Sequence, residues 1–354
     1  MVRRKAAWQV VLLALGLLLF AGLIYRVGLT AVLEALQRLG WLTPLVVIPY
    51  FTSYFVDSIG WLWVLRRGFA PAAGNPGPAP GLLQVFAIRA AGEAVNGITP
   101  TAYLGGEPLK AWLLQQHGVP LVPGLASVLV SKTALMLTQG GFVFLGALVA
   151  LHRWRSEIPL PAAAVLGLLL GALTFGLLIG VQRRGLFGIL LGISRRWSGR
   201  EALLASWEAD LLALDEHLRG FYKSRIRDFF ICCGFHFLGW VVGTWEVFLT
   251  LWLLGEPVDF LSALSIEALS GVAKLAAIIV PGSLGVQEGG QVVIFVAFGL
   301  PASLAVTFSL LRRGREVLWI GFGMAVLLKR HALGWLKGRA VSREPRAEME
   351  QRDP

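Results

Sequence analysis

Charged side chains are scarce in this sequence. Asp, Glu, Lys and Arg together supply 15% of its 354 residues, whereas soluble domains carry about 25%. Hydrophobic residues make up 56%, and several apolar runs reach the roughly 20 residues that cross about 30 Å of hydrocarbon. A large water-soluble domain is therefore excluded, and we expect nearly the whole chain to form a membrane-embedded helical bundle.

Cysteine and histidine are also sparse. The two cysteines, Cys232 and Cys233, are adjacent in an apolar run, where we expect small packing residues rather than a disulfide or a metal pair. The five histidines follow neither an HExxH pattern nor a Cys/His ligand spacing. We therefore predict no metal site and no cofactor.

Catalytic motifs are weak. The run Pro281–Gly285 resembles the GxSxG nucleophile elbow, but proline replaces the first glycine and no strand–turn–helix context surrounds it. Neither Gly105-Gly106 nor Gly289-Gly290 has the spacing of a phosphate loop, and each is expected to allow close helix approach or a positive φ. We therefore expect a protein that is not an enzyme.

The net charge of +11 indicates membrane topology rather than nucleic-acid binding. Most basic residues lie in short loops between apolar runs, as in cytoplasmic loops. The N-terminal run is interpreted as a retained span, because no clear cleavage site follows it. We expect a multi-pass protein of a bacterial-type inner membrane with both termini cytoplasmic and no nucleic-acid partner. The predicted full spans are 7–25, 41–65, 124–151, 160–181, 229–254 and 303–328.

Two further apolar segments, 82–117 and 261–299, are interrupted near the middle by proline and glycine. Unwound backbone at membrane depth must be buried in protein or line a wet cavity. We interpret each segment as a re-entrant helix pair, the first entering from the cytoplasmic side and the second from outside. The structural breaks are assigned to Pro100, Gly105, Gly106, Pro281, Gly282 and Gly285.

With these pairs, each half of the chain consists of two spans, a re-entrant pair and a span, and the halves enter the membrane from opposite sides. A charged residue lies seven positions before each central proline and a glutamate seven positions after it. The two sets are Glu93, Pro100, Glu107 and Lys274, Pro281, Glu288. Inverted repeats with broken helices are typical of transporters. We predict an all-α polytopic membrane protein with about six full spans and two re-entrant pairs, its repeats covering residues 1–151 and 152–330.

Two segments are expected at the membrane surface or beyond it. Within 201–222, six apolar residues share one helical face, and they are Leu203, Trp207, Leu211, Leu214, Leu218 and Phe221. The charged residues Glu201, Glu208, Asp215 and Arg219 are expected elsewhere. The pattern predicts a helix along the cytoplasmic membrane surface or, alternatively, an elbow joining the two halves. Residues 331–354 are expected to form a polar cytoplasmic tail that is disordered from Lys337 onward.

Fourteen charged residues fall inside the predicted spans or re-entrant pairs. They are Asp57, Glu93, Glu107, Glu246, Glu267, Glu288, Glu316, Arg89, Lys110, Lys132, Lys274, Arg312, Arg313 and Arg315. Seven of each sign allow every charge to be paired, and each would cost roughly 3 kcal/mol or more if it faced lipid at mid-depth. A functional site and a static ion-pair network are both open interpretations, and charges near segment ends could instead snorkel.

The charged residues and breaks define a candidate lipid-binding site. Its predicted members are Glu93, Asn96, Glu107, Lys110, Lys274, Glu288, Arg312, Arg315 and Glu316. Arg312 and Arg315 share a helical face, and a guanidinium can hold a phosphate through two hydrogen bonds. We expect these arginines to receive an anionic headgroup while Glu316 holds one of them in place. Structural pairing with Glu288 or Glu267 is the alternative.

Three motifs resemble a family signature. They are Gly92–Asn96 with Pro100 and Gly105–Ala111, then Val280–Gly290, and Leu311–Glu316. Together they resemble the flippase-like family that includes the transmembrane region of lysylphosphatidylglycerol synthases, over about residues 8–330. The second and third motifs look closest to the branch associated with hopanoid biosynthesis.

The resemblance implies translocation of a membrane lipid between leaflets, with an anionic phospholipid or an isoprenoid-derived lipid as the expected substrate. Lipid-biosynthesis enzymes are candidate partners. No aminoacyl-transfer domain follows residue 330, so we do not expect lysyl transfer by this chain. The alternatives are an intramembrane lipid-modifying enzyme and a non-transporting scaffold for lipid biosynthesis.

Overall fold

The chain is all-helical wherever its structure, a computed structural model, is described. The described residues are 40–69, 80–99, 105–153, 201–276 and 285–341, with residues 37, 180 and 188 in addition. The α-helical class is confirmed, since this part of the chain contains no strand. The predicted span 7–25, nearly all of 160–181, and the breaks at Pro100, Pro281 and Gly282 lie outside the described residues.

A short 3-10 turn, Gly40–Leu42, precedes the first long helix. The helices in chain order are α1 (Thr43–Gly68), α2 (Leu82–Ile98), α3 (Gly106–Gln115), α4 (Leu121–Arg153), α5 (Glu201–Ser224), α6 (Ile226–Leu253), α7 (Phe260–Ala276), α8 (Val286–Ala297) and α9 (Ala302–Val341).

Three helices in the described part are long and apolar enough to cross a membrane. They are Gly40–Gly68, Leu121–His152 and Ile226–Leu253. The first two contain the predicted spans 41–65 and 124–151, and the third covers the predicted span 229–254 except for its last residue. Helix α9 covers the predicted span 303–328, but it carries four charges between Arg312 and Glu316 and is not among the three. Length and composition therefore support three of the six predicted spans.

Each interrupted segment contains two helices, α2 and α3 in the first and α7 and α8 in the second. Gly106 of α3 lies so close to the carbonyl of Gly92 on α2 that any side chain would collide with it. Gly285 has a φ of 77° and begins α8, a left-handed conformation that favours glycine. Gly105 has a helical φ of −65°, so its place in the break does not depend on left-handed backbone.

Helix α5 confirms the predicted helix near 201–222, but its apolar face contacts protein. Leu214, Leu218 and Phe221 belong to a buried cluster that also contains Trp61 of α1, which favours the elbow. The charged residue Asp215 was expected outside this apolar face. Asp215 is buried, and its Oδ2 accepts a hydrogen bond from the Gly188 N–H at 2.8 Å. A backbone donor thus replaces the water that an exposed carboxylate would bind.

The predicted tail needs a correction, because α9 continues to Val341. The first part of the predicted tail 331–354 is therefore helical. Residues such as Ala, Leu, Lys and Arg in this stretch are good helix formers, and a helix that has already begun extends at little cost. Residues 342–354 lie outside the described part of the chain.

The helices of the two halves correspond at a constant offset in sequence. Helix α4 begins at Leu121 and α9 begins at Ala302. The corner before each helix contains a left-handed glycine three positions earlier, Gly118 with φ 80° and Gly299 with φ 74°. In each corner the residue after the glycine donates to a carbonyl five positions back, at 3.3 Å in the first corner and 2.9 Å in the second. The same helix–corner–helix structure therefore occurs twice.

Candidate functional site

A cavity of about 270 Å³ lies inside the bundle. Seven helices line it: α1, α2, α4, α6, α7, α8 and α9. Its charged and aromatic lining consists of Tyr50, Tyr54, Asp57, Arg89, Glu93, Lys132, His236, Trp240, Glu246, Glu267, Lys274, Arg312, Arg315 and Glu316. Helices from both halves of the chain therefore enclose one polar chamber.

The first ion cluster joins α2, α3 and α4. The Lys110 Nζ contacts Glu93 Oε1 at 2.6 Å and Glu107 Oε2 at 2.9 Å, and Lys132 contacts Glu107 Oε1 at 3.0 Å. Asn96 donates to both carboxylates at 3.3 Å and accepts from the Gly106 N–H at 2.7 Å. The side chains of Asn96, Glu107 and Lys110 are thus committed to joining α2 to α3.

Two arginines of α9 form the centre of the second ion cluster. Arg312 pairs with Glu267 of α7, and Arg315 pairs with Glu246 of α6. The guanidinium of Arg315 also stacks on the Tyr50 ring, 3.6 Å from its centroid, a contact that stabilises a desolvated cation. Three helices therefore meet at the pair of arginines that the sequence singled out for headgroup binding.

The rest of this cluster differs from the sequence prediction. Glu316 contacts Arg313 at 3.1 Å and Lys274 at 3.5 Å, rather than holding Arg312 or Arg315 in place. Arg313 also contacts Glu288 Oε1 at 2.8 Å, while Glu288 Oε2 accepts the Gly285 N–H at 2.7 Å. Both oxygens of Glu288 therefore fix the start of α8. Arg313 takes this role because its side chain points about 100° away from Arg312 around α9.

All fourteen predicted intramembrane charges have an oppositely charged partner in the structure. This outcome agrees with the expectation of pairing and supports a structural role for many of them. Some polar atoms along the cavity nevertheless lack hydrogen-bond partners among the described residues. They are the Nε atoms of Arg89, Arg312 and Arg315, the Nε1 of Trp240 and the Oε1 of Gln287. Arg312 and Arg315 are each 7% exposed and these polar atoms are themselves buried, so a molecule in the cavity would reach them only after neighbouring side chains move.

A third polar group was missed by the sequence analysis. His236 of α6 is fully buried; its Nδ1 lies 2.6 Å from Asp57 Oδ1 and its Nε2 lies 3.1 Å from Ser131 Oγ. Arg89 Nη2 donates to the other oxygen of Asp57 at 2.8 Å. The histidine was set aside because it lacked metal-ligand spacing. Its position inside an apolar run was the available signal, since ionisable residues at membrane depth are costly and usually functional.

The predicted site residues divide into two groups. Five line the cavity: Glu93, Lys274, Arg312, Arg315 and Glu316. Four are not part of that lining and tie helices together: Asn96, Glu107, Lys110 and Glu288. Lipid binding by these nine residues stays a prediction, and the sequence could not separate those facing the cavity from those buried behind its wall.

One ion pair occurs twice at equivalent positions of the two halves. Glu107 contacts Lys132 at 3.0 Å, and Glu288 contacts Arg313 at 2.8 Å. The spacing between the partners is the same in both pairs, and the offset from the first pair to the second equals the offset between the two glycine corners. The correspondence of the two halves therefore extends from backbone corners to buried side chains.

Long apolar helices around a buried, charged chamber define a helical membrane protein. The chain belongs to the family described as the lysylphosphatidylglycerol synthase TM region, which it matches over residues 8–323. The predicted family is confirmed.

Two curated relatives come from Methanothermobacter thermautotrophicus, and each is described as a UPF0104 membrane protein. One is 22% identical over 317 residues, covering 86% of this chain and 89% of the relative. Another is 25% identical over 293 residues, covering 75% of this chain and 79% of the relative. No solved structure matches the chain significantly.

Proposed function

We propose that this protein moves a lipid between membrane leaflets and that the lipid's headgroup occupies the central cavity. The observation that carries the proposal is a chamber of about 270 Å³ inside the bundle, lined by charges from both halves of the chain. Intramembrane ionisable residues that face a cavity typically mark a substrate pathway. The family's description, which refers to a lipid synthase, supports a lipid as the molecule that enters.

The unpartnered atoms favour a phosphate-bearing headgroup. The Nε groups of Arg312 and Arg315 and the Nε1 of Trp240 are donors without a hydrogen-bond partner in the described part of the chain, and Arg312 Nε has only an ionic contact with Glu246 Oε1 at 3.6 Å. Phosphate oxygens are strong acceptors for such donors, and hydrogen bonds to charged groups are about twice as strong as neutral ones. An anionic phospholipid or an isoprenoid-derived phosphate fits this chemistry.

The correspondence of the halves supports a transport mechanism. We infer that residues 1–151 and 152–330 form an inverted repeat with about six spans, and that α2–α3 and α7–α8 are re-entrant pairs. In such transporters the site lies at the repeat interface and opens alternately to the two sides. The repeated Glu107–Lys132 and Glu288–Arg313 pairs would then connect equivalent helices in the two halves, α3 with α4 and α8 with α9.

The remaining parts of the proposal follow from the sequence. The protein would lie in a bacterial-type inner membrane with both termini cytoplasmic, act without a cofactor and catalyse no reaction on the lipid. Association with hopanoid biosynthesis and with lipid-biosynthesis enzymes stays a prediction. An intramembrane lipid-modifying enzyme would instead change lipid chemistry, and a scaffold would change neither chemistry nor leaflet distribution.

The proposal is tested in proteoliposomes that contain a fluorescent phosphatidylglycerol analogue. A membrane-impermeant reductant bleaches the analogue in the outer leaflet, so a flippase makes the protected fraction fall. We expect faster loss than in protein-free liposomes, and at least fivefold slower loss with Arg315→Lys because lysine lacks the planar guanidinium. The exposed Arg227 provides the matched control, Arg227→Lys, which should behave as wild type.

Three outcomes would contradict the proposal. Protein-free rates over a panel of anionic and isoprenoid phosphate lipids would reject transport. A new lipid species on chromatography would favour the enzyme alternative. If Arg315→Lys lowered the melting temperature but left phosphatidylglycerol binding unchanged, the arginine would be structural and its proposed contact with the headgroup would be wrong.

A further inference from the structure

We propose that His236 is a proton-binding site, and that it takes up one proton when an anionic headgroup enters the cavity. This inference rests on the proposed function and extends it to the source of energy. The imidazole borders the chamber together with Asp57 and Arg89. A proton bound there could move with the lipid, and a pH difference across the membrane would then drive transport.

The hydrogen bonds of His236 suit both protonation states. Asp57 pairs with Arg89 at 2.8 Å, so its carboxylate acts as an acceptor, and the imidazole Nδ1 donates to it at 2.6 Å. Neutral His236 therefore has a bare Nε2, which accepts from the Ser131 hydroxyl at 3.1 Å. When a proton binds Nε2, the same hydroxyl rotates and becomes the acceptor, since a hydroxyl can play either part. Neither state leaves a ring nitrogen without a partner.

The charge balance around the cavity explains why a proton would bind together with an anionic headgroup. The charged residues among the described residues that line the cavity, five acidic and five basic, sum to zero, so an arriving anion would add an uncompensated negative charge. An isolated buried charge is costly in a medium of low dielectric constant. One proton on His236 would neutralise that charge, and the proton and the anion would stabilise each other.

Other titratable groups share the cavity wall with His236. They are Tyr50, Tyr54 and Asp57 from α1, Arg89 and Glu93 from α2, Lys132 from α4, Glu246 from α6, Glu267 and Lys274 from α7, and Arg312, Arg315 and Glu316 from α9. On α6 itself, Cys232 lies one turn before the histidine and is fully buried. Among these groups, histidine has the ordinary pKa closest to neutrality, about 6.5. Histidine is the residue type that most often serves as a proton site in proteins.

The order Ser131, His236, Asp57 also occurs in hydrolytic triads, but the surroundings of Ser131 do not suit a nucleophile. Acyl transfer needs donors placed to receive an oxyanion, usually backbone N–H groups. Ser131 lies well inside α4, where backbone N–H groups are used within the helix. Binding of a proton by His236 requires no such donors.

Proton uptake can be measured directly on the purified full-length protein. Short-chain phosphatidylglycerol is titrated into the protein by calorimetry at pH 7.5, in two buffers with different ionisation heats. The lipid phosphodiester keeps one negative charge near neutral pH, so proton uptake is assigned to the protein. We expect uptake approaching one proton per lipid bound, and a Kd that rises with pH by up to tenfold per pH unit, because the bound state holds the additional proton.

Variants assign the proton to its site. His236→Gln should abolish the uptake and make the Kd independent of pH. His117 is half-buried at the α3–α4 corner, outside the cavity lining, and its Nδ1 lies 3.0 Å from the Leu113 carbonyl. The matched variant His117→Gln should therefore retain the uptake. If His236→Gln does not fold, the wild-type uptake and its pH slope still decide the question.

The results separate this inference from the proposed function. Lipid binding without proton uptake, or unchanged uptake in His236→Gln, would overturn the proton site alone. Proton uptake on binding without any lipid movement in proteoliposomes would overturn the transport proposal and leave the proton site standing. Absence of both binding and movement in the wild type would reject both.

Discussion

Glu246 is the carboxylate on which two arginines of α9 converge. It is 2% exposed, it pairs with Arg315, and its Oε1 lies 3.6 Å from the Arg312 Nε. Removing one partner of a buried pair leaves a charge without compensation and costs about 3–5 kcal/mol. We therefore predict that Glu246→Gln substantially lowers the melting temperature of the detergent-purified protein.

The exposed Asp210 on α5 supplies the matched control. Asp210→Asn should change stability by no more than about 0.5 kcal/mol, as is usual for surface substitutions. Equal melting temperatures for Glu246→Gln and Asp210→Asn would show that the Glu246 pairs contribute little net stability.

At this scale the sequence predicted the need for pairing but not the partners. The cost of a lone charge in hydrocarbon applies to each residue separately, so it follows from composition. Partner choice depends on how helices pack, and this is why Glu316 pairs with Arg313 and Lys274 rather than with Arg312 or Arg315. The buried His236 was missed because its partners are 105 and 179 residues away in the chain.

At the scale of helices, small residues determine how closely the two halves approach. Gly323 of α9 lies against the backbone carbonyl of Ala90 and the side chain of Ala94 on α2. In the other half, Gly146 of α4 lies against Ala268 of α7. Each half therefore places a glycine of its last helix against the first helix of the other half's broken pair, which is the packing expected of small residues in membrane bundles.

A matched pair of glycines on α9 tests this packing. Gly323→Ala should lower stability by about 1–3 kcal/mol, because the new methyl group meets backbone that cannot move aside. Gly321, two residues earlier, has no atoms within 4 Å of an added Cβ, so Gly321→Ala should be neutral or slightly stabilising. Thermal melting of both variants gives the comparison. Similar melting temperatures would mean that α2 and α9 separate easily.

The helices were more predictable than their environments. Proline and glycine marked the breaks in 82–117 and 261–299, because both residues act locally on the backbone. The contact of Leu214 and Leu218 with the protein core could not be distinguished from contact with a membrane surface, since both environments select the same apolar face. The extension of α9 to Val341 was missed because polar composition alone does not end a helix.

At the scale of the whole molecule, two corresponding halves enclose one chamber. The sequence indicated this from three matched positions around each central proline. The structure adds the glycine corners and the repeated ion pair, all related by the same constant offset along the chain. Correspondence alone does not give the direction in which each half enters the membrane. A parallel repeat would place equivalent corners on the same side, whereas an inverted repeat places them on opposite sides.

Pro120 and Pro301 distinguish these arrangements, because they are equivalent corner residues and both are exposed. We predict that Pro120→Cys, in a background with Cys232 and Cys233 replaced by alanine, reacts with an impermeant maleimide only after the cells are opened. Pro301→Cys should react in intact cells, because the positive-inside pattern places this corner outside. Cysteines at positions 75 and 200 should behave like Pro120→Cys. Labelling of both corners from one side would reject the inverted repeat and the alternating-access mechanism built on it.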